Sequence, residues 1–153
     1  MTYAITVRQV TPETIAAVRR RMRAVDIPKG FNEPLDKVWE LLRRHPELRE
    51  GGHNLFLYRL DIDESGAMTI DFGVQVTRGF DQDGEVAAVM TPAGEVASTV
   101  HRGPYSGLRD AHRALHEWLA QSGRKSGGWS WEIYGDWTSD PAKLETEVVY
   151  LLE

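Results

Sequence analysis

The feature that most constrains the fold of this chain is an internal repeat with a period of 76 residues. A Gly-Gly pair at 51–52, followed six residues later by Tyr58, recurs as a Gly-Gly pair at 127–128 followed by Tyr134. Self-similarity at a fixed period indicates two copies of one supersecondary unit. The sequence therefore has to fold twice into the same short order of strands and helices.

That order is strand, helix, strand, strand in each copy, with one further strand before it. Apolar alternation and turn residues predict strands at 3–10, 14–22, 55–61, 68–77, 86–90, 95–101, 129–136 and 146–152. The segment 14–22 is also compatible with a short helix. One helix is expected from a cap at Asn32 or Glu33 to His45, and the other from near Pro104 to Gly123. Under the 76-residue shift, Trp39 falls on Leu115.

We therefore predict an α+β fold, with a single domain over residues 1–153 made of half-repeats 1–79 and 86–153. Each β-α-β-β half would be an antiparallel sheet with a helix over one face, and the halves would be related by a pseudo-twofold axis. Two long helices would lie on one side and a ligand groove on the other, between the halves.

Composition excludes several classes of protein. The formal net charge of −5 argues against direct nucleic-acid binding, which needs a basic face. The four arginines between 19 and 23 are read as a solvated strand end. The absence of cysteine excludes disulfides and thiol catalysis. No apolar run is long enough to cross a membrane, and the N-terminal residues lack the pattern of a signal peptide, so a cytoplasmic location is expected.

The strand at 129–136 has two distinct faces. Trp129, Trp131 and Ile133 alternate on one side, which we expect to pack under the helices. Glu132 and Tyr134 lie on the other side. This second face combines a carboxylate with an aromatic ring, a pairing that suits cationic ligands.

The positions 76 residues before Glu132 and Tyr134 are Phe56 and Tyr58, so symmetric halves would direct all four side chains into one groove. The alternative is a hydrated Glu132 beside tyrosines that only cover the sheet.

The sequence HRGPY at 101–105, Trp-Leu at 118–119, WEIY at 131–134, Asp-Pro at 140–141 and Thr-Glu-Val at 146–148 resembles the GyrI-like small-molecule-binding domain. This is the effector-binding module of AraC-type and multidrug-responsive transcription regulators. The resemblance implies a groove for bulky cationic or aromatic compounds, with Glu132 directed into it and Tyr134 and Tyr105 at further positions of the pattern. Since such regulators carry an added DNA-binding domain, a stand-alone form is expected here.

Three functions stay open. The chain binds small molecules, or it hydrolyses strained, cyclopropane-bearing toxins as related proteins do, with Glu132 as general base and Tyr134 or Tyr105 polarising the substrate. The third is a protein-interaction module that modulates a DNA enzyme such as gyrase.

No cofactor or metal is expected. His112 and His116 have a spacing that can bind zinc, but a surface pair on the polar side of the helix is favoured.

Overall fold

The computed structural model describes residues 2–153. The strands of this part of the chain are β1 (Thr6–Val10), β2 (Thr14–Arg23), β3 (Asn54–Arg59), β4 (Ala67–Gln75), β5 (Ala87–Met90), β6 (Gly94–Arg102), β7 (Ser126–Tyr134) and β8 (Glu145–Leu152). The helices are α1 (Ile27–Gly30), α2 (Asn32–Arg44) and α3 (Leu108–Ser122). All strand pairings within the units below are antiparallel. The predicted α+β class is confirmed, and the segment 14–22 is a strand. Among the described residues, no helix has both the length and the apolar character needed to span a bilayer.

The chain divides into two compact units. The middle unit is Pro12–Thr91, and the terminal unit is Pro92–Glu153 together with the N-terminal residues up to Thr11. The middle unit has the strand order β3-β4-β2-β5, and the terminal unit the order β1-β6-β8-β7.

The units are not the two sequence halves, because the first strand of each half pairs in the other unit. β1 pairs with β6, and β5 pairs with β2. Alternation shows that a segment is a strand but does not specify its partner, so the sequence analysis did not show this exchange.

The repeat is exact in the hairpin of each unit. Phe56 pairs with Phe72 between β3 and β4, and 76 residues later Glu132 pairs with Val148 between β7 and β8. The helices match at a shift of 77 instead, since they bury equivalent positions: Pro34, Val38 and Leu42 on α2 and Ala111, Leu115 and Leu119 on α3. His112 therefore corresponds to Leu35. The counterpart of Trp39 is His116 and not Leu115.

The helix ends follow from local chemistry. α2 ends at Arg44, before His45 and a proline. α3 ends at Ser122, before Gly123, whose φ of 71° is the left-handed conformation that glycine adopts readily. The start of α3 differs from the prediction. A 3-10 turn, Tyr105–Gly107, separates Pro104 from the helix, which begins at Leu108.

The face of β7 that α3 covers is the opposite of the one predicted. Glu132 on β7 lies within hydrogen-bond distance of His112 on α3, so the Glu132 face lies under the helix. The expectation that the helix packs on the Trp129 and Trp131 face, with Glu132 on an open face, is wrong for this unit. The physical reason is that His112 borders the apolar stripe of α3 and offers the carboxylate a polar partner.

Candidate functional site

Glu132 is a buried carboxylate on β7 of the terminal unit. Only 5% of its surface is exposed. Its Oε1 accepts a hydrogen bond of 2.6 Å from the Tyr134 hydroxyl, and its Oε2 lies 2.7 Å from Nε2 of His112. Burial of a carboxylate is costly unless it is hydrogen-bonded, and here each oxygen has a partner.

A chain of hydrogen bonds connects Glu132 to the protein surface. The other ring nitrogen of His112, Nδ1, lies 2.6 Å from the hydroxyl of Tyr150 on β8. The same hydroxyl lies 3.2 Å from Nε2 of the exposed His116. Both imidazole rings meet the Tyr150 ring edge to face. Five side chains, from Tyr134 to His116, therefore form one connected polar network.

The acid–base properties of this network follow from burial. Burial, together with the Glu132 carboxylate, raises the pKa of Tyr150 to about 12. Burial and the neighbouring His112 lower the pKa of His116. Near neutral pH, Tyr150 therefore keeps its proton and His116 is neutral.

Tyr105 extends the aromatic surface beside this network. Its ring meets the Tyr134 ring edge to face, with centroids 5.5 Å apart. Tyr105 is 42% exposed, and burial of the remainder raises the pKa of its hydroxyl. The structure thus places three of the predicted site residues, Glu132, Tyr134 and Tyr105, in one cluster.

Phe56 and Tyr58 lie on β3 of the middle unit, and both are buried. The Phe56 ring packs edge to face on Phe72, with centroids 4.8 Å apart, and also contacts Phe31 before α2. These contacts place Phe56 in the apolar core of its own unit. The role of Phe56 and Tyr58 in ligand binding stays a prediction.

Thr146 supplies a polar group that the described residues leave without a partner. It is fully buried and pairs with Tyr134 across the β7–β8 ladder, so both side chains lie on the Glu132 face. Within residues 2–153 its Oγ1 has no hydrogen-bond partner. Buried hydroxyls are normally bonded, to protein or to ordered water, and this one marks a polar position beside Glu132.

Two surface clefts lie away from this network. One, of about 400 Å³, is lined by residues of the middle unit, including Leu41, His45 and Phe80. The other lies between Tyr3 and the outer face of α3. Neither cleft is lined by a buried charged group like Glu132. We therefore take the Glu132 network as the candidate functional site.

The described part of the chain contains no group of three or more His, Asp or Glu side chains that could hold a metal ion. The zinc-like spacing of His112 and His116 has a different explanation. Both imidazoles contact the Tyr150 hydroxyl. The expectation of a surface pair is right for His116 and wrong for His112, whose ring reaches Glu132.

Sequence reasoning therefore missed His112 and Tyr150 as site residues. A signal was present, since His112 directly follows Ala111 and precedes Leu115 by three residues, which places it at the edge of the buried stripe of α3. Tyr150 shares its face of β8 with Val148, which is the partner of Glu132. Helical and strand periodicity together would have brought these side chains near Glu132.

The comparisons with known proteins agree with this fold. The model of the GyrI-like small molecule binding domain matches residues 3–152, and the chain belongs to this family. A search of curated proteins finds no match.

Several solved structures share the fold. The EcmrR C-terminal domain is 20% identical, with a TM-score of 0.82 over 100% of this chain and 99% of that one. In the EcmrR–DNA complex the chain covers 57% of the longer EcmrR chain. SAV2435 bound to tetraphenylphosphonium is 14% identical, with a TM-score of 0.69 over 100% and 94%. A hydrolase from Listeria innocua is 13% identical, with a TM-score of 0.66 over 97% and 91%.

Proposed function

We propose that this domain binds bulky aromatic compounds, with a preference for lipophilic cations, and that Glu132 supplies the counter-charge. The observation that carries the proposal is the buried carboxylate of Glu132, hydrogen-bonded to the Tyr134 hydroxyl and to His112, with the Tyr105 ring packed on the ring of Tyr134.

The physical basis is a match between the site and a large, weakly hydrated cation. Such a cation loses little hydration energy on burial and gains from the negative faces of aromatic rings. Affinity would come mainly from apolar surface removed from water, and the selection for positive charge from Glu132. A neutral ligand of the same shape would lose only the charge contribution.

The comparisons support this proposal without identifying the ligand. SAV2435, which shares the fold, was solved with tetraphenylphosphonium, a cation of this type. The EcmrR C-terminal domain matches this chain end to end. We infer that the chain acts as a ligand-binding module.

The test compares tetraphenylphosphonium with neutral triphenylphosphine oxide, by calorimetry and by thermal shift, on the wild type and Glu132→Gln. A ligand that binds only the folded state raises the melting temperature. We expect Glu132→Gln to weaken binding of the cation by about tenfold or more, since a charge-assisted contact is worth about 1.5–3 kcal/mol. Binding of the neutral compound should change little.

Glu147→Gln is the matched control. Glu147 lies on β8 opposite Ile133, so its side chain is on the other face of the sheet, where it pairs with Arg8. Equal losses of cation affinity in both variants would contradict a specific role for Glu132. Failure of a well-folded wild type to bind any lipophilic cation would refute the proposed function and favour the protein-interaction alternative.

A hydrolase is the second candidate, and the hydrogen bonds of Glu132 favour it. A carboxylate that receives hydrogen bonds from Tyr134 and His112 is positioned to take a proton from water, and a tyrosine hydroxyl can polarise a substrate. Catalysis predicts product in excess of one equivalent of protein from a strained cyclopropane-bearing substrate, and no excess with Glu132→Gln. Binding of the substrate without turnover would exclude the hydrolase and leave ligand binding as the function.

A further inference from the structure

We propose that His112 determines ligand specificity as the built-in counter-ion of Glu132, which an incoming cation replaces. A lipophilic cation would therefore release one proton from His112 on binding, whereas a neutral aromatic ligand would leave that proton in place. This inference rests on the proposed function and specifies how one site accepts both ligand types.

The first step concerns the nitrogen that meets Glu132. An ionised carboxylate can only accept hydrogen bonds, so Nε2 of His112, 2.7 Å away, must carry a hydrogen and donate it. The protonation state of the ring therefore depends on the other nitrogen, Nδ1. This nitrogen faces the hydroxyl of Tyr150 at 2.6 Å.

The second step is that the Tyr150 hydroxyl can form a hydrogen bond with Nδ1 whether or not Nδ1 carries a hydrogen. With neutral His112, the hydroxyl donates its hydrogen to Nδ1. With charged His112, Nδ1 donates to the hydroxyl oxygen, and the hydroxyl turns its hydrogen towards Nε2 of His116, 3.2 Å away. Both states keep every hydrogen bond of His112 satisfied, so the network changes its charge without losing a contact.

The neighbouring groups are suited to this exchange. Tyr150 keeps its proton and His116 stays neutral near neutral pH, so each provides what the two states require. Several other charged or titratable groups of the terminal unit lie around α3. His101 on β6 bonds Tyr3 and Pro104, Arg113 pairs with Asp110, and Tyr134 donates to Glu132. Tyr105 packs on Tyr134, and Arg109 and Glu117 occupy exposed positions of α3.

The consequence is a site with two charge states. With His112 protonated, the pair of Glu132 and His112 is neutral and suits an uncharged ligand. With His112 neutral, the pair carries the negative charge of Glu132 and suits a cation. A bound cation repels the proton on His112, and by linkage the proton weakens cation binding to the same extent.

Isothermal titration calorimetry with tetraphenylphosphonium tests this directly, because that cation has no proton of its own. Titrations at one pH in buffers of different ionisation enthalpy count the protons released. At pH values where His112 of the unliganded protein carries the proton, we expect release of up to one proton per cation bound, and an affinity that rises by up to about tenfold per pH unit. Triphenylphosphine oxide should release none.

His112→Gln keeps a donor towards Glu132 but cannot titrate. This variant should bind tetraphenylphosphonium without proton release and with little change in affinity between about pH 6 and 8. His45→Gln, which alters an exposed histidine beside Glu47, should behave like the wild type. Proton release that persists in His112→Gln would overturn the proposal.

A second measurement uses only the wild-type protein, so it does not depend on whether a substituted protein folds. In wild-type protein labelled with ¹⁵N-histidine, tetraphenylphosphonium should move one imidazole signal from the charged to the neutral form.

The outcomes of these experiments separate the proposed function from this inference. No cation binding at any pH refutes the proposed function and this inference with it. Tight cation binding with no proton release and no pH dependence refutes the inference alone.

Discussion

The two hairpins of this domain share one backbone register and differ in what they bury. In the middle unit, Phe56 opposite Phe72 forms an apolar aromatic core, whereas in the terminal unit Glu132 occupies the place of Phe56. On the helices, Leu35 of α2 corresponds to His112 of α3. The comparison shows that one copy of a duplicated unit can keep an apolar core while the other carries a buried polar network at the same positions.

The two solutions differ in their requirements. An apolar core needs only shape and volume, and it tolerates neighbours of many kinds. A buried carboxylate needs a donor on each oxygen, and loss of one partner leaves a group that is costly to bury. The terminal unit therefore depends on particular residues, Tyr134 and His112, where the middle unit depends on packing.

The largest expected effect comes from truncation of the two equivalent side chains. Phe56→Ala should lower the free energy of unfolding by about 3–5 kcal/mol, because it removes a ring packed on Phe72 and leaves a cavity. Glu132→Ala should cost about 1–3 kcal/mol and also abolish the preference for cations. Urea unfolding followed by tryptophan fluorescence measures both. A larger loss of stability in Glu132→Ala than in Phe56→Ala would contradict the comparison.

A smaller effect separates the units at alkaline pH. Tyr150 of the terminal unit has its pKa raised to about 12, whereas its counterpart in the middle unit, Val74, does not titrate. The folded state holds the Tyr150 proton more tightly than the unfolded state, whose tyrosines titrate near pH 10. The contribution of Tyr150 is therefore complete below about pH 10, and about 2–3 kcal/mol is lost as the pH rises to about 12.

The control for this effect is Tyr150→Phe, which keeps the ring and removes the hydroxyl. Its free energy of unfolding should fall less than that of the wild type over the same pH interval, in denaturant titrations at matched ionic strength. Parallel pH profiles for the two proteins would show that Tyr150 does not contribute in this way.

The smallest effect concerns the equivalent glycines Gly52 and Gly128. A Cβ atom on Gly52 would lie 2.1 Å from the carbonyl oxygen of Gln75, whereas one on Gly128 would meet no atom within 4 Å. We expect Gly52→Ala to cost about 2 kcal/mol through displacement of the backbone, and Gly128→Ala about 1 kcal/mol through its φ of 86° alone. The melting temperatures of the two variants measure this difference. A lower melting temperature for Gly128→Ala than for Gly52→Ala would contradict it.

Much of the fold could be predicted because the repeat and the alternation of apolar residues are local signals. The segment 14–22 is a strand, and the helices end directly before His45 and Gly123, the two residues expected to stop them. The exchange of β1 and β5 could not be predicted, since a strand with suitable residues can pair with any exposed edge.

The candidate site was predictable in part. Glu132, Tyr134 and Tyr105 are candidates from the sequence, and the structure brings them together, while their role in ligand binding stays a prediction. The covered face of β7 was assigned wrongly, because alternation defines two faces but does not show which one a helix covers. His112 was missed as a site residue since its role depends on contact with a residue 20 positions away, which helical periodicity alone does not reveal.

The exchange of first strands also has a consequence for protein synthesis. The middle unit is one continuous segment, so all its strands and both its helices are available once residue 91 has left the ribosome. The terminal unit needs β1, which is made first, and β6, with Thr6 pairing to Ser98. During translation β1 must therefore wait with an unpaired backbone while the whole middle unit is made, and the terminal unit is completed last.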